Sequence, residues 1–290
     1  MRRTVHHTYR GGVTAHVLTP QQHTLLDQWL PGHEVTADHS WPHGLTAVLE
    51  LTHHGQRYIA KAGNLTDTHI AREVHAHRNW LTPWTSRARA PLLISADVGA
   101  KLLLTRFQPG VLVQGTVHAN LEDTYRQAGE LLALLHDQHA RNDSQYVQRQ
   151  KDKALAWLGR AHRIDSSTTA RLHNEIESWK AQSAIVVPTH GDWQPRNWLI
   201  DRVSVIDFGR AELRPAYTDF ARLDAQQFRG ALHLERAFLD GYGADPRQEP
   251  QWRYARIAEA IGTACWAYHV GDEAFEQQGH RMIAAALGTG

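Results

Sequence analysis

An apolar, β-branched run, Ala184-Ile185-Val186-Val187-Pro188, leads into a polar segment that reads His190-Gly191-Asp192-Trp193-Gln194-Pro195-Arg196-Asn197. Such a run is a buried strand, and its end carries Asp192 from the interior onto a surface loop. Two further short apolar runs, Trp198-Leu199-Ile200 and Val203-Ser204-Val205-Ile206, flank the polar pair Asp201-Arg202 and read as a β-hairpin. A hairpin brings its ends together, so Asn197 at its start and Asp207 at its end are predicted side by side. Gly191 and Gly209 give the backbone freedom beside each carboxylate. This succession of strand, loop and hairpin limits the folds open to the chain more than any other feature.

The three polar groups suit one chemistry. Phosphoryl transfer in kinase-like enzymes uses a carboxylate that accepts a proton from an attacking hydroxyl, and two hard oxygen ligands for magnesium on the nucleotide phosphates. Asp192, Asn197 and Asp207 can supply them. His-Gly-Asp or Asp-Phe-Gly alone would be weak, but their order, with nine residues between Asn197 and Asp207, is specific. The plainer reading is a tight turn followed by a surface hairpin with incidental acids.

The motif pair resembles the aminoglycoside phosphotransferase and choline kinase family, the small-molecule branch of the protein-kinase-like fold. Gly191 stands where protein kinases place Arg. The resemblance implies an α+β, bilobal fold: an N-terminal ATP-binding lobe (1–105) made of an antiparallel sheet with a helix, and a larger, mainly helical catalytic and acceptor-binding lobe (106–290). It implies that Asp192 is the catalytic base, that Asn197 and Asp207 bind Mg2+, and that His190 organises the loop. Gln194 occupies the place of a phosphate-contacting Lys, which leaves Arg196 and Arg210 as candidates for that contact. Lys61 and Glu73, twelve residues apart, are assigned by resemblance to the pair that holds the α and β phosphates; Asp67 and Glu50 are less well placed competitors. Adenine is expected on the backbone near Thr105 and Phe107, with Leu104 lining its pocket. Asp219 is implied to be a buried acid bonding loop amides, although an acid at a helix start is favourable in any case.

The residues themselves supply the surrounding elements. Thr19-Pro20 has the N-cap and first-turn proline of a helix running to Leu30. Leu45 to Leu51 and Arg57 to Ala62 read as an antiparallel pair around His54-Gly55, with Lys61 near the end of the second run. There are five lysines against 26 arginines. A helix is expected over 66–81. Between a first strand near Val35 and the second at Leu45 lies a loop with a single glycine, in which Ser40, His43 and Gly44 are the candidate phosphate contacts; an unliganded β-turn would use the same residues. Lys101 to Thr105 reads as a buried strand broken at Gln108-Pro109-Gly110. Helices follow over 120–139, 146–160, 167–181, 217–227, 232–242, 252–269 and 273–287.

Composition bounds the function. The chain has 290 residues and a net charge of +1, with scattered arginines, which argues against a nucleic-acid partner. No apolar run approaches the roughly 20 residues that span a bilayer, and Met1-Arg2-Arg3-Thr4 leads into histidines rather than an apolar signal core. Cys265 stands alone. The expected compartment is therefore cytoplasmic. The 21 histidines show no metal-ligand spacing.

The expected reaction is transfer of the γ-phosphoryl group of ATP, with GTP as an alternative donor, to a hydroxyl of a small molecule. An antibiotic is the first acceptor reading, and a metabolic acceptor of choline, homoserine or sugar-derivative type the second. A nucleotide-binding pseudokinase without turnover is the alternative outside catalysis. Asp272, Glu273 and Glu276 are candidates for an acidic acceptor patch, although helix N-terminal acids would look the same.

Overall fold

The computed structural model describes residues 18–41, 46–200 and 202–288; His43 and Gly44 lie outside them. The fold is α+β, and the chain divides into two compact units. One holds the described residues up to Ile70 together with Leu93–Phe107; the other holds Ala71–Leu92 and the chain from Gln108 onward.

The first unit opens with α1 (Pro20–Trp29), started by a reciprocal cap in which Thr19 and Gln22 each accept the other's backbone amide. Its strands are β1 (Glu34–Asp38), β2 (Thr46–His53), β3 (Gln56–Gly63), β4 (Leu93–Asp97) and β5 (Leu102–Arg106). They form one antiparallel sheet in the order β1-β2-β3-β5-β4. Alternate residues of β2 and β3 meet Leu26 and Leu30 of α1, with Leu102 and Leu104 of β5, in one apolar core. Buried Gln22 also donates to the carbonyls of Gly63 and Ala100, which ties the helix to the ends of two strand connections.

The second unit is mainly helical. It takes in α2 (His69–Asn79) from Ala71 onward, followed by α3 (Thr82–Thr85), β6 (Val111–Leu112), α4 (Glu122–His136), β7 (Arg141–Asp143), α5 (Tyr146–Leu158) and α6 (Ser166–Glu177). Then come β8 (Ala184–Thr189), β9 (Trp198–Ile200), β10 (Ser204–Val205) and β11 (Glu212–Arg214), and finally α7 (Ala221–Ala225), α8 (Leu232–Tyr242), α9 (Gln251–Val270) and α10 (Glu273–Leu287). The strands make two small antiparallel sheets, β10-β9-β6 and β11-β8-β7. Trp84, Trp193, Trp198, Phe208, Phe220 and Phe238 fill the core beneath the 190–209 segment, while α5, α6, α9 and α10 enclose a separate apolar cluster. α4 and α8 cross at glycines: a Cβ on Gly129 would land on the carbonyl of Phe238, and one on Gly241 on that of Arg126. No described helix is long and apolar enough to cross a membrane.

Several helix ends lie a few residues from the sequence expectation, and two of these differences have a visible cause. The 66–81 helix starts only at His69, because the Asp67 carboxylate accepts the Ile70 amide at 2.9 Å and caps it, and it ends at Asn79. The 217–227 helix is a 3₁₀ turn over Ala216–Phe220 followed by the short α7. There the Thr218 hydroxyl bonds back to the Pro215 carbonyl at 2.8 Å, and the Asp219 carboxylate is drawn to the loop amides. The two- and three-residue strands β6, β7 and β11 are too short to show a period in the sequence.

Candidate active site

β8 ends at Thr189, and the next residues turn the chain so that Asp192 is buried with its carboxylate gripped from several directions. The Arg196 guanidinium donates to Oδ2 at 2.7 Å, and Arg222 of α7 makes a close ion pair with Oδ1. Gln194 donates to the same Oδ1. Arg222 in turn bonds Glu259 of α9 through Nε at 2.6 Å, so the Asp192 carboxylate is anchored to two helices. Burial alone would raise the Asp192 pKa, but the charges of Arg222, Arg196 and Arg210 outweigh it and hold the carboxyl well below the usual range. It is ionised at any working pH.

Gly191 has φ +78, and a Cβ there would strike the carbonyl of Arg210 and the guanidinium of Arg214. Glycine is demanded by both the backbone conformation and the space. The loop is held from behind by Asp219, which is 2 % exposed. Its carboxylate accepts the amides of His190 (2.8 Å) and Gly191 (2.6 Å) and a contact from His136 Nε2 at 3.1 Å, while His136 Nδ1 meets the Tyr242 hydroxyl at 2.8 Å. Burial opposes ionisation of Asp219, yet the His136 hydrogen bond and the adjoining charges keep its carboxyl below the ordinary range.

His190 links the two halves of the site. Its Nδ1 accepts the Asp192 amide at 3.2 Å, which leaves Nε2–H to donate to the Ile206 carbonyl at 3.1 Å. Burial lowers its pKa against the pull of Asp219, Asp192 and Asp207, so the ring is neutral. The Ile206 amide donates to the Asn197 carbonyl at 3.0 Å, which closes the hairpin predicted from the sequence and sets its two ends together. Arg72 of α2 donates to the Gly209 carbonyl at 3.0 Å, and Phe208 packs among His190, Trp84 and His77.

The donor set suits a hard cation. Asn197 spends its amide hydrogens on the Asp192 carbonyl (2.8 Å) and Oδ2 (3.0 Å), so Oδ1 is the atom left to face a metal. Asp207 has φ +69, a left-handed conformation that a short acidic side chain tolerates and that recurs at functional sites. Among the described residues no three His, Cys, Asp or Glu side chains converge as a metal cage. One amide oxygen and one carboxylate is the kind of set that magnesium shares with phosphate oxygens and water.

The other candidates fall in separate places. Lys61 lies on β3, opposite Val48 and Leu103. Glu73 lies on α2 and is buried. Its competitors are both engaged: Asp67 caps α2, and Glu50 pairs with Arg57 at 2.7 Å. Leu104 and Thr105 are buried on β5, and the Phe107 amide already donates to the Arg57 carbonyl at 3.0 Å. Ser40 Oγ accepts the Val48 amide at 2.9 Å. Asp272 accepts the Phe275 amide at 2.9 Å as the cap of α10, and buried Glu276 pairs with Arg163 at 3.0 Å, with Glu273 near the same guanidinium. Of these three acids, Asp272 caps its own helix, and Glu273 and Glu276 face Arg163.

Sequence reasoning gave Arg222, Glu259, His136 and Tyr242 no role in the site. Arg222 follows Asp219 by one helical turn, which is a weak signal, and Glu259 and Tyr242 had none.

Comparison with known proteins finds the same fold. A thermostable mutant of the aminoglycoside phosphotransferase APH(4)-Ia, in ternary complex with ADP and hygromycin B, aligns with a TM-score of 0.68 at 13 % identity, covering 94 % of this chain and 99 % of that one. The choline kinase LicA from Streptococcus pneumoniae aligns with a TM-score of 0.64 at 13 % identity (90 % and 97 % covered). A macrolide 2'-phosphotransferase type I aligns with a TM-score of 0.61 at 18 % identity (91 % and 97 % covered). At such identities the likeness is one of fold. No curated protein matches the sequence. Residues 43–259, most of the chain, match one family, and the protein belongs to the phosphotransferase enzyme family.

Proposed function

We propose that this enzyme transfers the γ-phosphoryl group of ATP to a hydroxyl of a small molecule, in the first instance an antibiotic, with Asp192 as the base. The observation that carries the reading is the fixed, ionised carboxylate of Asp192 beside Asn197, at one end of a hairpin whose other end is Asp207. Magnesium, held by Asn197 and Asp207, would offset the phosphate charge.

A carboxylate so strongly stabilised is a weak base. Its main service is orientation: it accepts the hydrogen bond of the acceptor hydroxyl and takes the proton late, when the oxygen has become acidic through bonding to phosphorus. Arg196 and Arg222 suit that service because they fix both carboxylate oxygens. Neutral His190 holds the loop without competing for the proton. Lys61 and Glu73 are proposed to hold the nucleotide phosphates, with Arg196 and Arg210 as further phosphate contacts. ADP bound to a structural relative supports a nucleotide donor. The structural relatives include one in complex with the antibiotic hygromycin B and one that is a choline kinase, which keeps the metabolic reading as the second one.

The test is transfer of label from γ-labelled ATP with magnesium to a panel of antibiotics, amino alcohols and sugars, beside Asp192→Ala and a separate measurement of ADP binding. Labelled product lost in the variant is expected. ADP binding with no product from any acceptor would favour the pseudokinase reading.

A further inference from the structure

The Asp192 carboxylate is saturated with hydrogen-bond donors. Oδ1 receives Gln194 Nε2 and Arg222 Nη1, and Oδ2 receives Arg196 Nη2 at 2.7 Å and Asn197 Nδ2 at 3.0 Å. An ionised carboxylate offers about four lone-pair sites, two on each oxygen, so every site is taken. A base that takes the proton of an acceptor hydroxyl must first accept that hydroxyl's hydrogen bond. One of the four donors therefore has to leave.

Three of them are tied in place. Arg222 is buried and bonds Glu259 through Nε at 2.6 Å. Asn197 is buried and also donates to the Asp192 carbonyl at 2.8 Å. Gln194 is buried, and its backbone carbonyl accepts the Asn197 amide at 2.9 Å, which fixes the turn that carries it. Arg196 has none of these ties. Its side chain is 44 % exposed, and its guanidinium makes no other hydrogen bond or ion pair among the described residues. It stands on the single 3₁₀ turn Pro195–Asn197. A half-exposed ion pair costs less to break than the buried pair with Arg222, because water takes up the charge that is released. A guanidinium on a long, flexible stem is also well shaped to receive a phosphate oxygen.

Resting on the phosphotransferase reading above, we infer that Arg196 is a gate on the base: it covers Oδ2 until the nucleotide phosphates draw its guanidinium away, and the acceptor hydroxyl takes the freed place. The two stations of Arg196, Oδ2 and a phosphate oxygen, are held in turn. Asp192 keeps its orientation throughout, because Arg222, Gln194 and Asn197 stay in place. The hydroxyl oxygen then bonds to the γ-phosphorus, and the bond from that phosphorus to the bridging oxygen breaks with its electron pair going to ADP. The hydroxyl proton passes to Oδ2. Nucleotide and acceptor are thereby coupled, each favouring the other, since both bind best with Arg196 off the carboxylate.

The test uses the full chain as parent, Arg196→Ala and Arg196→Lys. The probe is the member of the panel above that takes label, titrated by calorimetry onto each protein alone and onto each loaded with magnesium and AMP-PNP. AMP-PNP is expected to tighten probe binding about tenfold in the parent and less than about twofold in Arg196→Ala, because the variant alone already binds the probe about as well as the loaded parent does. Arg196→Lys should keep the coupling. Probe binding by Arg196→Ala alone that is no tighter than by the parent alone, or coupling that survives in Arg196→Ala, would overturn the inference while leaving phosphotransfer intact. A crystal structure of the parent with magnesium and AMP-PNP decides the matter without any acceptor. The guanidinium is expected beyond hydrogen-bonding distance of Oδ2, and bound AMP-PNP with Arg196 still on Oδ2 overturns the gate. Failure to bind AMP-PNP or ADP would instead remove the phosphotransfer reading on which it rests.

Discussion

Replacing Asp219 by Asn probes the support behind the 190–192 loop without touching the base. The carboxylate accepts two backbone amides and the His136 contact through two oxygens in a site closed to water. An Asn side chain has one oxygen. If that oxygen keeps His190 N and His136, the side-chain NH2 faces the Gly191 amide, donor against donor. Losing a hydrogen bond to a charged acceptor costs about 1.5–3 kcal/mol, and stranding a buried donor adds about 1–3 kcal/mol. The expected loss is therefore about 3–5 kcal/mol, a large share of the ~5–15 kcal/mol typical of a whole domain. Urea unfolding followed by far-ultraviolet circular dichroism at pH 7 would measure it. A loss below about 1 kcal/mol would refute the reasoning, since the amides would then have another acceptor. The pH dependence has a definite sign. The folded carboxyl titrates below its unfolded value of roughly 3.9, so its stabilisation is complete above that value and is lost as pH falls through the lower folded one. The difference between parent and variant should narrow below about pH 4 and not widen.

Three further outcomes follow from the same geometry. Arg222→Met removes the ion pair from Asp192 Oδ1, leaving Gln194 alone on that oxygen, and takes the partner of Glu259 away; kcat should fall about 10²-fold with ADP affinity unchanged, and a kcat within about threefold of the parent would show that the anchor is idle. Asn197→Ala removes the amide oxygen assigned to magnesium, so the magnesium concentration that supports half-maximal ADP binding should rise at least about tenfold, measured by titration of both forms; an unchanged value would move the metal elsewhere. Gly241→Val drives a side chain into the Arg126 carbonyl where α4 and α8 cross, and thermal unfolding should show a loss of about 2–4 kcal/mol; a neutral effect would mean that the helices can separate at that crossing.

The sequence by itself determined what neighbours along the chain decide. β-branched patterning specified β8 and the β9–β10 hairpin, and because a hairpin must return on itself, Asn197 and Asp207 were placed together before any long-range contact was considered. The cap of α1, the long helices and the need for a glycine at position 191 were legible for the same reason: each is a local matter of backbone conformation or periodicity. The extent of α2 and α7 was less so, since Asp67 and Asp219 spend their carboxylates on amides that only the folded chain presents. What sets the state of Asp192 was decided by tertiary structure. Arg222 lies 30 residues from it, and Glu259 is a further 37 along; His136 reaches Asp219 across 83 residues. A lone charged residue on a helix looks the same in sequence whether it faces water or a buried carboxylate. Packing chooses its partner, and low-dielectric burial makes that choice count.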